Sequence, residues 1–160
     1  MRYLLVVDLQ REFVKDETGR RVYNNCLRYV QSAKSRGYEY VLAVVYQNSE
    51  KFANMDRLVE WNEMMKIRGI EFQADEVVFH SGYSISQYPR FTQQDRVDVL
   101  GLDTDACVLA TCFDLFTRGC NMRILVNGCW SSGGAEMHEA GLKVMKRQFG
   151  KAVDETTRVG

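Results

Sequence analysis

Apolar residues along this chain fall into two alternating patterns: short continuous runs, and longer stretches with helical spacing. The continuous runs predict five strands, at Arg2–Asp8, Tyr40–Tyr46, Glu76–His80, Val97–Leu100 and Arg123–Gly128. Runs that are apolar at every position, rather than at every second one, are typical of parallel strands covered on both faces. The stretches with helical spacing predict four helices, at Val22–Arg36, Met55–Ile67, from Cys107 to just before Gly119, and Ala135–Gln148.

Strands that alternate with helices favour right-handed βαβ units and therefore a parallel sheet. We expect one domain over residues 1–160, since that length is close to the usual domain size and long enough for a core. The predicted fold class is α/β, a three-layer α/β/α sandwich with a mostly parallel, Rossmann-like sheet. The polar segment Arg11–Arg20 is expected to be a loop, and Ala152–Val153 a short last strand.

Charge and cysteine content narrow the possible partners and the compartment. Lys plus Arg and Asp plus Glu both number 21, so the formal net charge is zero, and without a basic stripe we expect no nucleic-acid partner. The apolar run before Asp8 is too short for a signal peptide, and nothing approaches a membrane span, so no membrane association is expected. Five cysteines without CxxC spacing predict reduced thiols and a cytoplasmic location.

Three polar residues lie at or just beyond the ends of predicted strands, at the carboxyl edge of the sheet. Open α/β sheets bind ligands at this edge. Asp8 ends the first strand, His80 ends the third, and Cys107 lies in the first turn of the helix after the fourth. A helix N-terminus favours a cysteine thiolate, and these residue types suit acyl transfer through a thioester. Each also has a simpler interpretation, because Asp8 could cap a loop, His80 could be satisfied at a strand end, and Cys107 could be a core residue.

Four segments, in order, carry a resemblance to a known family. They are LLVVDLQREF with Asp8, Gln10 and Phe13, HSGYS with Tyr83 and Ser84, GLDTDACV with Gly101, Thr104, Cys107 and Val108, and NGCWSSGGAEMHEAGL with Cys129 and Ser132. On these residues the chain resembles the isochorismatase-like cysteine hydrolases, a group that includes nicotinamidase, N-carbamoylsarcosine amidohydrolase and ureidoacrylate amidohydrolase. The resemblance spans nearly the whole chain, and the segment around Cys107 is its most specific part.

The resemblance implies roles for individual residues. Cys107 would be the nucleophile and Asp8 the proton-handling carboxylate, while the backbone N–H groups of Asp103 and Cys107 would form an oxyanion hole beside a cis peptide bond at Leu102–Asp103. The substrate pocket would be lined by aromatic side chains, namely Phe13, Trp61 and Tyr83, although core packing explains Trp61 and Tyr83 equally well. The implied activity is metal-independent hydrolysis of a small amide or carbamoyl C–N bond, without a cofactor, by a homo-oligomer such as a dimer or tetramer.

Two departures from the family pattern affect this interpretation. His80 stands where the family has a lysine, so the site would be a Cys-His-Asp triad, or the protein would be a catalytically degenerate member that binds a small molecule or a protein. The metal-binding Asp-x-His and further His of nicotinamidases are replaced here by YQNSEKFANMD. His138, the other histidine of the chain, is expected to be a surface or packing residue, so the sequence predicts no metal site.

Overall fold

The computed structural model describes residues 1–47, 58–59, 69–83 and 91–160. In these ranges six strands form one parallel sheet in the order β3-β2-β1-β4-β5-β6. The strands are β1 (Arg2–Val7), β2 (Tyr40–Tyr46), β3 (Glu76–His80), β4 (Arg96–Leu102), β5 (Asn121–Trp130) and β6 (Val153–Asp154). The α-helices are α1 (Glu17–Gln31), α2 (Cys107–Thr117) and α3 (Ala135–Phe149). None of the helices in the described ranges is long and apolar enough to cross a membrane.

The five long strands confirm the sequence prediction, and the main differences concern α1, which begins earlier than predicted and ends at Gln31 rather than Arg36. The expected loop at Arg11–Arg20 is wrong, because a 3-10 turn covers Arg11–Phe13 and α1 already begins at Glu17. Asp16 caps α1 by accepting a hydrogen bond from the Gly19 N–H at 2.6 Å, a signal that apolar spacing alone does not reveal. The helix predicted at Met55–Ile67 lies outside the described residues, apart from Leu58 and Val59.

Alternate side chains of each central strand pack on opposite faces of the sheet, which confirms the three-layer α/β/α prediction. On one face, Tyr3, Leu5 and Val7 pack with residues of α2 and α3. On the other face, Leu4 and Val6 pack with the apolar side of α1. Because both faces are buried, the strands can be apolar at every position, as the sequence pattern required.

The two strands at the centre of the sheet, β1 and β4, end side by side. Val7 pairs with Gly101 at that end, and the β4–β5 register shifts between Val99 and Gly101. Gly101 has φ +137, and a Cβ built there would lie 1.9 Å from the Val7 carbonyl oxygen. Only glycine therefore permits this approach, which brings the residues after β4 next to those after β1.

A buried carboxylate lies towards the opposite end of β4. Asp98 is 0% exposed and accepts hydrogen bonds from Arg123 Nη2 at 2.6 Å and from the Tyr38 hydroxyl at 2.7 Å. Arg2 and Arg96 add ion pairs at 3.3 and 3.4 Å. Burial alone would raise the pKa of Asp98, but Arg123 and Tyr38 outweigh it and hold that pKa below its usual value. The sequence analysis gave this residue no role beyond its place in a strand.

Candidate active site

The structure brings together the three polar residues that the sequence placed at the carboxyl edge of the sheet. Nε2 of His80 lies 2.6 Å from Oδ1 of Asp8. A carboxylate oxygen of Asp8, a ring nitrogen of His80 and Sγ of Cys107 all lie within 4.8 Å of one another. Asp8 is 0% exposed, Cys107 is 4% exposed, and the side chain of His80 is 6% exposed. The predicted proximity of the three side chains is therefore confirmed, in a site nearly closed to solvent.

The backbone of Asp8 has an unusual conformation, which sets the direction of its side chain. It is the one non-glycine residue with positive φ among those described, at +44, directly after the last residue of β1. Its N–H continues the ladder to the Val44 carbonyl at 2.9 Å, and its own carbonyl accepts from the Gln10 N–H at 2.8 Å. Left-handed backbone at a residue other than glycine costs about 1–3 kcal/mol and persists where its surroundings fix it, which is common at functional sites.

Neighbouring side chains hold this turn and the His80 ring in place. The buried Gln10 side chain donates to the Tyr46 carbonyl at 3.0 Å and accepts from the Tyr46 N–H at 2.9 Å, which ties the turn to the end of β2. The Tyr46 ring meets the His80 ring edge to face, with centroids 5.7 Å apart. The sequence analysis named Gln10 as part of a motif but gave it no role. The feature that could have indicated its structural role is a polar residue within an apolar segment.

Cys107 is the first residue of α2, as predicted, but the expectation of a resting thiolate is wrong. Burial is the main cause that raises the pKa of the Cys107 thiol well above its ordinary value, and the negative charges of Asp8, Asp103 and Asp105 raise it further. The positive end of the helix dipole, worth roughly 0.3–1 kcal/mol, does not offset a buried site surrounded by carboxylates. The sulfur therefore rests as a thiol, and a reaction at Cys107 requires a neighbouring base.

The loop from Leu102 to Ala106, which we call the nucleophile loop, precedes Cys107. Its Leu102–Asp103 peptide bond is cis, at the position that the family resemblance implies. The Asp103 carbonyl accepts hydrogen bonds from the N–H groups of Ala106 and Val108, both at 3.1 Å. Within the described part of the chain, the backbone N–H groups of Asp103 and Cys107 donate to no other group.

A second loop, between β5 and α3, holds the nucleophile loop through two serine–aspartate pairs. Ser132 donates its backbone N–H to Asp103 Oδ1 at 2.9 Å and its hydroxyl to Asp103 Oδ2. Ser131 donates its hydroxyl to Asp105 Oδ1. Burial raises the pKa of Asp103 to about 6, against the hydrogen bonds from Ser132 and with the help of the Asp105 and Asp8 charges. Asp103 is therefore mostly ionised at neutral pH and protonated in mild acid.

This pKa predicts an unusual gain of stability on mild acidification. A carboxyl whose folded pKa exceeds its unfolded pKa binds protons more tightly in the folded state, so Asp103 adds stability as the pH falls through about 6. Between pH 7 and pH 5 we expect the free energy of unfolding of the wild type to rise by about 1 kcal/mol relative to that of Asp103→Asn. Urea denaturation of both proteins at the two pH values measures this difference, and parallel changes in the two proteins would contradict the assignment.

Helix α3 packs closely on the nucleophile loop. His138 is 6% exposed, its Nδ1 lies 2.7 Å from the Thr104 hydroxyl, and its ring lies 4.6 Å from the Trp130 ring. Of the two roles predicted for His138, packing is therefore confirmed and a surface position is wrong. A Cβ at Gly141 would come within 2.9 Å of the Asp105 Cα, so this glycine sets how near α3 approaches the loop. Apolar spacing predicted the helix but not these contacts.

Comparison with known proteins places the chain in a family. A profile described as "Isochorismatase domain" matches residues 2–157. This chain belongs to the isochorismatase family. Solved structures of low sequence identity to this chain share its fold. A comparison with curated protein sequences gives no significant match.

Three solved structures illustrate the shared fold of this isochorismatase-family protein. The nicotinamidase from Bacillus subtilis is 21% identical with a TM-score of 0.74, covering 96% of this chain and 99% of its own. The pyrazinamidase/nicotinamidase from Streptococcus mutans UA159 is 17% identical with a TM-score of 0.75, covering 96% and 100%. An isochorismatase-like hydrolase from Alkaliphilus metalliredigens is 21% identical with a TM-score of 0.68, covering 91% of each chain.

The predicted substrate-lining residues of this isochorismatase-family domain fall in different places. Tyr83 is 38% exposed and lines a cavity of about 660 Å³ that lies against the nucleophile loop and the first turns of α2. Phe13 is buried against the Tyr46 ring, with centroids 5.9 Å apart. Trp61 lies outside the described residues. A role in substrate binding stays a prediction for all three.

Proposed function

We propose that this isochorismatase-family protein is a cysteine hydrolase that cleaves a small amide or carbamoyl C–N bond through a thioester. The observation that carries the proposal is the Asp8–His80 pair, with its 2.6 Å contact, beside the buried thiol of Cys107. Thiol, carboxylate and imidazole are the groups that nucleophilic acyl transfer uses. The replacement of the family lysine by His80 keeps a nitrogen donor in contact with Asp8.

The proposed reaction assigns one group of the site to each step. Asp8 accepts the proton of the Cys107 thiol as the sulfur attacks the substrate carbonyl, and His80 orients the Asp8 carboxylate by donating Nε2–H to it. The proton then passes from Asp8 to the leaving nitrogen, the C–N bond breaks, and an amine or ammonia departs from the thioester. Water, deprotonated by Asp8, hydrolyses the thioester and restores the thiol.

The oxyanion that forms in both halves of the reaction needs hydrogen-bond donors. The backbone N–H groups of Asp103 and Cys107 have no acceptor among the described residues, so they are free to bind it. Such preorganised donors are each worth about 10²–10³ in rate in known hydrolases. The serine–aspartate pairs and the close packing of Gly141 fix the loop that carries these donors.

A cavity beside the nucleophile loop is lined by residues of that loop and of α2, but not by Asp8, His80 or Cys107. Its volume of about 660 Å³ lies in the usual range for small-molecule sites. Leu109, Phe113 and Met137 provide an apolar wall, while Asp103 and Asp105 add carboxylates. The proposed mechanism uses side chains and water, with no metal or cofactor step, and the predicted homo-oligomer and cytoplasmic location stay predictions.

Trapping of the acyl-enzyme tests the proposal. The purified protein is incubated with a panel of small amides, carbamoyl compounds and ureas in the presence of a metal chelator, and release of ammonia or amine is followed. Acid quenching during turnover of an active substrate, followed by peptide mass analysis, should find the acyl group on Cys107 and on none of the other four cysteines. Turnover without an adduct on Cys107, or no turnover with any member of the panel, would count against the proposal and favour a catalytically silent binding protein.

A further inference from the structure

The three side chains at the carboxyl edge are also of the types that bind transition metals. A sulfur, an imidazole nitrogen and a carboxylate oxygen lie within 4.8 Å of one another in a nearly dry site. We propose that Asp8, His80 and Cys107 bind one zinc ion, with a fourth position left to water, and that the bound ion reversibly inhibits the enzyme. Zinc takes these ligand types, and three protein ligands with one open position is a common arrangement.

The distances allow such a site with small side-chain movements. Bonds of about 2.0–2.3 Å in a tetrahedral arrangement place two zinc ligands about 3.3–3.6 Å apart. No two ligand atoms of the cluster are more than 4.8 Å apart, so no separation has to close by more than about 1.5 Å, within reach of rotations of the Cys107 and His80 side chains. The Asp8–His80 hydrogen bond, at 2.6 Å, is shorter than a ligand–ligand distance, so the ion would replace that bond by separating the two groups.

An unsatisfied atom in the cluster supports the site independently. Oδ2 of Asp8 is buried and has no hydrogen-bond partner among the described residues. A buried carboxylate oxygen without a partner is unfavourable, and a cation is the partner that a carboxylate binds most strongly. This oxygen can take the ion while the rest of the turn after β1 keeps its backbone hydrogen bonds.

The charges around the sulfur also favour a divalent cation. Asp8 lies beside Cys107, and Asp103 and Asp105 add negative charge from the nucleophile loop. Two positive charges on the ion would balance the Asp8 carboxylate and a Cys107 thiolate, and the thiol proton would pass to solvent on binding. The set of ligands differs from the Asp-x-His and further His of nicotinamidases, which this chain lacks.

The inhibitory consequence rests on the proposed function, whereas zinc binding does not. Zinc would hold the sulfur electron pair that attacks the substrate and the Asp8 oxygen that accepts the thiol proton. The metal-loaded enzyme would therefore be inactive until a chelator removes the ion. A lysine at position 80 would be a charged group beside Asp8 but a poor zinc ligand, so His80 is the residue that gives the site this property.

Cobalt substitution tests binding without any substrate. The 160-residue protein, freed of metal, is titrated with Co²⁺ while the sulfur-to-cobalt charge-transfer absorption in the near ultraviolet is followed. Zn²⁺ is then added to displace the cobalt. We expect one equivalent to bind with this absorption. Cys107→Ser should lose the absorption, and Asp8→Asn, His80→Asn and His80→Lys should weaken zinc binding by at least about 100-fold, since even residues behind the ligands cost 10–100-fold.

Cys120→Ser is the matched control, because Cys120 directly precedes β5 and therefore lies at the opposite edge of the sheet. This variant should leave the cobalt spectrum unchanged. A wild-type spectrum without the charge-transfer band, or a band that survives in Cys107→Ser, would overturn the metal site. Wild-type binding is measured on the unmodified protein, so a variant that fails to fold does not decide the result.

Turnover assays with and without one equivalent of zinc separate the two proposals. Loss of at least 90% of turnover, restored by a chelator, supports inhibition, whereas full turnover of zinc-loaded protein overturns it. The cobalt band in a protein that hydrolyses no amide would sustain the metal site and count against the hydrolase. Amide turnover in a protein without the cobalt band would do the reverse.

Discussion

Cys107→Ala is expected to lower kcat by a factor on the order of 10⁴–10⁶, the range seen when the nucleophile of a comparable triad is removed. The thiol is the one group of the site that forms a covalent bond to the substrate, so neither Asp8 nor the free backbone donors can replace it. The variant should keep the fold, because removing one sulfur from the first turn of α2 leaves a small cavity that costs about 1 kcal/mol. Initial-rate measurements on a substrate found in the panel, with circular dichroism and denaturation, test both parts.

Cys112→Ala is the matched control for this prediction. Cys112 lies in the same helix, is 0% exposed, and belongs to the same core cluster, but it is not part of the Asp8–His80–Cys107 group. It should lose a comparable amount of stability and retain turnover. If Cys107→Ala kept more than a few per cent of wild-type kcat, or if both variants lost activity alike, Cys107 would not be the nucleophile.

Asp98→Asn is expected to lower the free energy of unfolding by about 3 kcal/mol, at the lower end of the range for breaking a buried ion pair. The substitution keeps the shape of the side chain but removes the charge that Arg123 contacts through two nitrogens, at 2.6 and 3.0 Å. Arg123 is 25% exposed and can regain some hydration, which is why the expected loss is not larger. Urea denaturation at neutral pH measures it.

A comparison with an exposed ion pair controls for the general effect of removing a charge. Lys146 and Glu155 pair at 2.8 Å with both side chains about half exposed, so Glu155→Gln should change stability little. Because the pKa of Asp98 is lowered by folding, its contribution is present above about pH 4 and is lost as the pH falls below that. If Asp98→Asn were as stable as Glu155→Gln, the ion pairs of Asp98 would make no net contribution to the free energy of unfolding.

Sequence patterns predicted the sheet well because burial dictates its composition. Every residue of a central parallel strand faces a covered side, so β1, β2 and β4 read as apolar runs whatever packs against them. The three site residues were predictable for a related reason, since parallel strands deliver their last residues to one edge. The start of α1 was missed because it depends on the Asp16 cap, in a segment whose composition is that of a loop.

The protonation state of Cys107 and the supports of its loop could not be read from the sequence. Helix position favoured a thiolate, but burial, the Asp8 carboxylate from the end of β1 and the Asp103 and Asp105 carboxylates of the nucleophile loop together raise the pKa of the thiol. The same applies to Gln10, His138 and Gly141, whose partners lie on other elements and follow no periodicity. Predicting the ion pairs of Asp98 would have required the register of β4 against β5, because that register places Arg123 opposite Asp98.

The pairing of β1 with β4 joins segments about ninety residues apart in the chain. Asp8 and Cys107 come together only when these two strands, and the glycine contact between them, are in place. Catalytic competence should therefore appear late during folding and vanish with the first opening of the sheet centre, so that loss of enzyme activity under denaturant would report the separation of β1 from β4.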